Sequence, residues 1–358
     1  MVTVAEALDQ ALGRVAAVES DALRGYLLTT LGRTYLDAGE RVRADSLLAL
    51  AVETLGTAGG DLQANALLWL GHARSGNGWE AIDLYVRGLG LASHSDASRV
   101  RFDLALAMSK EFMTAPNGGL MPAKEYNDFA LDLAADRLEL RAEALAQKGM
   151  LAAYGSDFPT AIAAYEEATH LLERIYGRNS VRLLATLGPL GYAMRYTDRE
   201  PEWEGLQAQA LQIARRVYGT DHPVTLSQLT AYANVAAFDK RYADAEPRVD
   251  SAYAVALRTQ SLNNGSLSDL LSLRAEVKNG VGDYAAAAAS GQEAIRLARI
   301  WGDSTEVAQS QVEIAIARAG QGQRADARSR LRTWIPRLGA GDWMTRDRGR
   351  AVLDGLGG

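Results

Sequence analysis

The sequence predicts an all-α solenoid of about eight antiparallel helix pairs, with a capping helix at each end. Three observations support this fold class. Nearly every segment has apolar residues at the i, i+3, i+4 and i+7 spacing of an amphipathic helix. No segment shows sustained two-residue alternation, and residues 138–303 repeat with a period of 42. Arrays of this kind bury their apolar faces against neighbouring units and leave a long concave surface for partners.

The 42-residue period is defined by four columns of residues. The first column is always leucine, the second always alanine, the third always small, and the fourth small with one exception. In that order the columns are Leu145, Leu187, Leu229 and Leu271; Ala168, Ala210, Ala252 and Ala294; Gly149, Gly191, Ala233 and Ala275; and Ala161, Trp203, Ala245 and Ala287. A small residue four positions after the leucine predicts that the second helix of each pair crosses the first closely.

The elements follow from this pattern in chain order. Terminal units of an array have one face without a neighbour, so we expect a cap at each end. The predicted segments are an N-terminal capping helix over 1–19, irregular helix pairs over 20–137 with a long loop at 114–122, four 42-residue units over 138–303, a last unit over 304–340, and a C-terminal capping helix over 341–358.

One unit departs from the repeat at two positions. Pro189 lies within its first helix, where the missing backbone donor predicts a kink. Trp203 stands where the other units have alanine. Either the ring is buried and the second helix shifts around it, or it faces a partner at a bend of the array.

The order of residues within a unit resembles the tetratricopeptide repeat (TPR). In the second helix the clearest copy is Phe158, Ala161, Tyr165 and Ala168, and the N-terminal unit has Leu28, Leu31-Gly32, Tyr35, Ala44, Leu48 and Ala51 at the family's spacings. The 42-residue period and the joint 219–223, Gly-Thr-Asp-His-Pro, resemble the kinesin-light-chain-like subtype. The resemblance covers about residues 20–338 and implies a right-handed superhelix.

The joint at 219–223 also gives local predictions. Gly219 stops one helix, Thr220 or Asp221 caps the next, and Pro223 lies in the first turn, where it has no backbone donor to waste. His222 is then a structural residue and not a ligand.

The resemblance implies which side chains line the concave wall. Among them we favour those suited to a peptide, because an asparagine can hydrogen-bond both groups of an extended backbone and Tyr and Arg are common interface anchors. The candidate partner-binding residues are Tyr192, Arg195, Thr230, Asn234, Glu276 and Asn279, with Trp203 as a secondary candidate. The alternative is an empty, solvated groove. Some family members grip a terminal carboxylate through Lys-x-x-x-Asn, but this chain has Thr230-x-x-x-Asn234, so that ligand is not expected.

Composition and motifs indicate a protein without catalytic chemistry. The net charge of −6 argues against a nucleic-acid partner, and the absence of cysteine excludes thiolate sites and disulfides. The four histidines share no metal-ligand spacing, and no nucleotide, protease or hydrolase motif occurs. We therefore expect no cofactor and no metal. Without a signal peptide or a membrane-length apolar run, we expect a cytoplasmic protein whose partners are proteins or peptides.

Four hypotheses for function remain open at this stage. The first is a non-catalytic scaffold in bacterial signal transduction that binds a partner segment in the concave groove. The second follows from residues 2–9 and 21–35, which resemble the start of the repeat region behind the kinase domain of bacterial serine/threonine kinases; the kinase motifs themselves are absent. The third is a sensor of small signalling peptides. The fourth is self-association through the exposed ends of the array.

Overall fold

The computed structural model describes residues 4–15, 17–56, 60–76, 79–92, 99–115, 118–259, 264–339 and 342–357. These residues are mostly helical, and none of them forms a β-strand. The chain divides into two compact units, Met1–Arg178 and Asn179–Gly358, here called unit one and unit two. Within the described ranges, no helix is both long enough and apolar enough to cross a membrane.

Unit one consists of helices that pack on one another in chain order. They are α1 (Val4–Val15), α2 (Asp21–Asp37), α3 (Arg41–Leu55), α4 (Gly60–Arg74), α5 (Trp79–Leu91), α6 (Arg99–Thr114), α7 (Leu120–Ala134), α8 (Leu138–Tyr154) and α9 (Phe158–Tyr176).

Unit two, described by itself, also has helices that pack in chain order, and it begins with a single 3₁₀ turn, Val181–Leu183. Its helices are α10 (Leu184–Met194), α11 (Glu200–Tyr218), α12 (Pro223–Phe238), α13 (Tyr242–Thr259), α14 (Asn264–Val281), α15 (Tyr284–Trp301), α16 (Ser304–Gly320), α17 (Arg324–Trp334) and α18 (Trp343–Gly355). Across the described parts of both units, α2 to α17 form eight consecutive helix pairs. The predicted all-α solenoid class is confirmed.

The repeat columns form the contact between the two helices of a pair. The four leucines of the first column are 1–4% exposed, and the four alanines of the second column have no exposed surface. At Gly149 an added Cβ would lie 2.8 Å from the ring of Tyr165, so a glycine is what lets α9 approach α8.

The joint between α11 and α12 differs from the prediction at the cap. Gly219 does end α11, with φ of 84°. The N-cap of α12, however, is His222 and not Thr220 or Asp221: its Nδ1 accepts a hydrogen bond from the backbone N–H of the second helical residue at 3.2 Å. The physical reason is Pro223, which restricts the residue before it to extended backbone, the conformation a cap needs.

The connection between α6 and α7 is shorter than the loop predicted at 114–122. Because α7 begins at Leu120, Pro122 lies in its first turn, where a missing N–H breaks no intrahelical bond. The backbone N–H of Gly119 donates to the carbonyl of Phe112 at 2.9 Å, which folds the connection back onto α6. Residues 116 and 117 of that loop lie outside the described residues.

Candidate functional site

Unit two contains a polar cavity of about 320 Å³, here called the inner cavity. Side chains of α10, α12, α14 and α16 line it, together with side chains of α18. Four of the predicted groove residues meet there: Tyr192, Arg195, Asn234 and Glu276. They come from three different first helices, as the repeat pattern requires.

Two predicted groove residues are not part of the lining. The hydroxyl of Thr230 donates to the carbonyl of Leu226 on its own helix at 3.0 Å. The amide of Asn279 donates to both the carbonyl and the side chain of Glu313 at 2.9 Å. Asn279 therefore supports a residue of the inner cavity and does not face it.

The C-terminal helix α18 contributes the central cation of the inner cavity. The two terminal nitrogens of Arg348 form ion pairs with Glu276 of α14 and Glu313 of α16. The side chain of Glu313 is 3% exposed and that of Glu276 is 16% exposed, so both carboxylates depend on Arg348 for charge compensation. Burial raises the pKa of Glu276 to about 7 despite the opposing effect of Arg348.

Several contacts hold α18 against the inner faces of the first helices. An added Cβ at Gly349 would lie 2.9 Å from Val312, so a glycine allows α18 to approach α16 closely. The side-chain amide of Gln309 donates to Asp342 at 2.5 Å. Trp343 packs edge-on against Phe238 at the end of α12, with ring centroids 6.4 Å apart. The helix that the sequence predicts as an end cap therefore lines the cavity.

Arg195 lies among aromatic rings and has no carboxylate within ion-pair distance in the part of the chain that the structure describes. Its guanidinium carbon is 3.9 Å from the ring centroid of Phe238, 4.9 Å from Tyr196, 5.2 Å from Tyr192 and 5.3 Å from Trp203. Cation–π attraction thus stabilises the charge in place of an ion pair. Burial lowers the pKa of Arg195 from its ordinary value.

Trp203, the secondary candidate, is buried beneath this cluster with 3% of its surface exposed. Its ring lies against Gly191. By the 42-residue period, the position equivalent to Tyr165 is 207, which holds a glutamine. Trp203 lies four residues, about one helical turn, before position 207. Its ring therefore occupies beside Gly191 the space that the ring of Tyr165 occupies beside Gly149. In this conformation the ring supports Arg195 and offers almost no surface to a partner.

A second pair of carboxylates lines the same cavity. Asp269 of α14 and Glu306 of α16 have no cation within ion-pair distance among the described residues, although Glu306 is only 7% exposed. The hydroxyl of Ser272 donates to Glu306. Burial is the main cause that raises the pKa of Glu306 to about 7, and the neighbouring carboxylate of Asp269 contributes to this rise.

Because of Glu306, we expect the free energy of unfolding to fall as the pH rises from about 5 to about 8. The folded-state pKa of about 7 lies above the ordinary 4.5, so the folded chain holds a proton that the unfolded chain has released. The stabilisation from Glu306 is fully present below the pKa of the unfolded chain, and it is lost as the pH rises through the pKa of the folded chain. The carboxylates of Asp269 on α14 and Asp303 before α16 also raise the pKa of Glu306. Hydrogen bonds from Ser272 and Ser310 lower it.

Urea denaturation of the wild type and Glu306→Gln at several pH values between 5 and 8 measures this contribution. The variant should show a flatter dependence, because an amide does not titrate. Glu293→Gln is the matched control, since Arg296 holds the pKa of Glu293 below its ordinary value and outside this window. Equal slopes for wild type and Glu306→Gln would contradict the assignment.

Sequence reasoning missed Glu306, Glu313 and Arg348. Glu313 lies 37 residues after Glu276, so counting by 42 from Glu276 does not reach it. Nothing in the sequence pattern relates Arg348 to either glutamate.

Comparison with protein-family models and with curated proteins gives no match. Solved structures match in fold. A signal transduction ATPase with numerous domains (STAND) from Pyrococcus horikoshii, which has a TPR sensor, gives a TM-score of 0.66 at 15% identity over 99% of this chain and 52% of that one. A Rap protein complexed with Competence and Sporulation Factor gives 0.59 at 12% identity over 94% and 98%.

A third similar structure is BtubC (BKLC) from P. vanneervenii, with a TM-score of 0.50 at 15% identity over 69% of this chain and 92% of that one. These neighbours are built from the helix pairs that the repeat columns predict, and they agree with the helix order of the described residues. The chain has the fold of the tetratricopeptide-repeat proteins.

Proposed function

We propose that this chain is a non-catalytic scaffold that binds a segment of a partner protein, or a peptide, in the inner cavity. The observation that carries the proposal is the convergence of Tyr192, Arg195, Asn234 and Glu276 on one polar cavity. A cavity with a few convergent polar groups is the usual form of a binding site.

The lining has the chemistry that an extended segment requires. Asn234 is exposed and can donate to and accept from one peptide unit. Tyr192 is 47% exposed and its hydroxyl lies 3.2 Å from that of Tyr196, so its ring is held in place beside the cavity. Arg195 is already ordered by the surrounding rings, which reduces the entropy lost when a carbonyl or carboxylate binds it.

The similar structures favour binding over catalysis. The Rap protein that matches most of this chain is in complex with Competence and Sporulation Factor, and the TPR region of the STAND protein is described as a sensor. We infer that this chain likewise acts in signal transduction. The kinase-regulatory, peptide-sensor and self-association hypotheses, and the cytoplasmic location, stay predictions from the sequence.

Selection of peptides from a random 12-residue display library tests the proposal. The wild-type chain should select peptides, and Tyr192→Ala/Asn234→Ala should weaken binding of the best synthetic peptide by about tenfold or more, because such anchors contribute most of the affinity at interfaces. Glu276 is left intact, since its removal would unpair Arg348.

The matched control is Tyr154→Ala/Thr230→Ala, which makes comparable changes outside the cavity: Tyr154 is exposed on unit one, and Thr230 bonds its own helix. It should bind like the wild type. Failure to select any peptide, or equal binding by both double variants, would contradict the proposed function.

A further inference from the structure

We propose that the segment bound in the inner cavity carries an arginine or lysine side chain, and that Asp269 and Glu306 bind its cationic group. This inference rests on the proposed function and specifies the partner's chemistry. It comes from a comparison of two carboxylate pairs within the same cavity.

The two pairs are related by a simple displacement along neighbouring helices. Glu276 and Glu313 form one pair, and Asp269 and Glu306 lie seven residues earlier on α14 and α16, respectively. Seven residues are two helical turns, about 10 Å along the axis, so both pairs point from the same faces of the two helices. All four side chains line the inner cavity.

The chain itself shows what such a pair binds. The guanidinium of Arg348 bridges Glu276 and Glu313, one nitrogen to each carboxylate. A planar guanidinium suits this role because its donors diverge toward two acceptors at once.

The Asp269–Glu306 pair has the same acceptors without the cation. Glu306 is 93% buried, lines the cavity, and receives a hydroxyl donor from Ser272 but no positive charge from the described residues. A buried carboxylate is costly to keep ionised unless a cation lies beside it. A side chain from a partner would supply that charge.

A further charged group of the lining, Arg195, gives the segment an orientation. Arg195, on the α10 side, has no carboxylate partner among the described residues and would repel a second cation. It can instead donate hydrogen bonds to a carbonyl or carboxylate of the segment. A segment crossing the cavity would therefore place its basic side chain toward α14 and α16 and its acceptor toward α10.

The same display library tests this inference at low salt and pH 8. The wild type should enrich arginine or lysine at one position of the selected peptides. Asp269→Asn/Glu306→Gln should lose that enrichment, and replacing the selected arginine by citrulline should weaken binding to the wild type by about tenfold, which corresponds to the loss of one charge-assisted hydrogen bond. Against the double variant, the arginine and citrulline peptides should bind equally.

A control variant separates local recognition from net charge. Asp347→Asn/Asp354→Asn removes two exposed carboxylates of α18 and leaves the cavity lining unchanged; it should keep the enrichment. The substitutions Asp269→Asn and Glu306→Gln preserve side-chain shape. Circular dichroism with urea denaturation checks that the variant with these two substitutions is folded.

The outcomes distinguish the two proposals. Peptides selected without a basic position, or basic enrichment that survives in Asp269→Asn/Glu306→Gln, would overturn this inference and leave the proposed function standing. If no peptide is selected at all, the proposed function fails and this inference fails with it.

Discussion

Replacing Arg348 by methionine is expected to lower the free energy of unfolding by about 3–5 kcal/mol, the usual cost of removing one partner from a buried ion pair. Methionine keeps much of the side-chain volume but leaves Glu276 and Glu313 without a cation. With 3% exposure, Glu313 cannot regain its hydration without displacing α18. Urea denaturation followed by circular dichroism measures the change.

The pH dependence of this loss identifies its cause. Glu276 already has a pKa raised to about 7, and it accepts a proton more readily once Arg348 is absent. The loss should therefore be larger at pH 8 than at pH 6, where protonation relieves part of the unpaired charge.

Two further variants provide the controls. Arg350→Met changes an exposed arginine of the same helix and should alter stability by no more than about 0.5 kcal/mol. Arg348→Met combined with Glu276→Gln and Glu313→Gln removes both buried charges and should recover most of the loss. An Arg348→Met variant as stable as Arg350→Met would show that the ion pairs do not hold α18 in place.

Replacing Trp203 by alanine is expected to cost about 3–5 kcal/mol, as large-to-small changes at buried aromatic positions do. Its ring fills the space beside Gly191 and lies 5.6 Å from the ring of Phe238. Removing it also takes away part of the aromatic surface around Arg195. Denaturation measures the stability, and affinity for the selected peptide measures the effect on the cavity.

The neighbouring unit suggests a rescue. There, Ala161 stands at the position of Trp203 and Tyr165 at the position of Gln207, and the ring of Tyr165 fills the equivalent space. Trp203→Ala/Gln207→Tyr should therefore recover a substantial part of the stability that Trp203→Ala loses. Trp79→Ala is the control, and its cost should be smaller because 54% of Trp79 is exposed. If the double variant is no more stable than Trp203→Ala, then Trp203 does not take the place of a tyrosine at position 207.

Most of the fold could be predicted from the sequence because each repeat position has a local physical requirement. A leucine, a small residue four positions later and a further alanine are what two close helices need at their contact, and these columns are buried as predicted. The resemblance to the tetratricopeptide repeat implied that Tyr192, Arg195, Asn234 and Glu276 line the concave wall, and the structure brings these four to one cavity.

Two local predictions were wrong because a neighbouring residue decided the backbone. Pro223 restricts His222 to the extended conformation of a cap, which overrides the usual preference for Thr or Asp at that position. Pro122 is tolerated in the first turn of α7, so a proline near a predicted loop did not mark the start of the next helix correctly.

The sequence by itself determined the all-α repeat, the spacing of its helices and the faces on which its polar residues lie, since these depend on contacts between residues close in the chain. Only the tertiary structure decided how α18 lies on the inner faces of unit two and which carboxylates Arg348 pairs with. Glu276 and Arg348 are 72 residues apart, and their meeting depends on a packing contact at Gly349 that no repeat period encodes. That contact places Arg348 beside Glu276 and Glu313 and no cation beside Asp269 and Glu306 among the described residues. The two similar carboxylate pairs therefore differ in charge compensation.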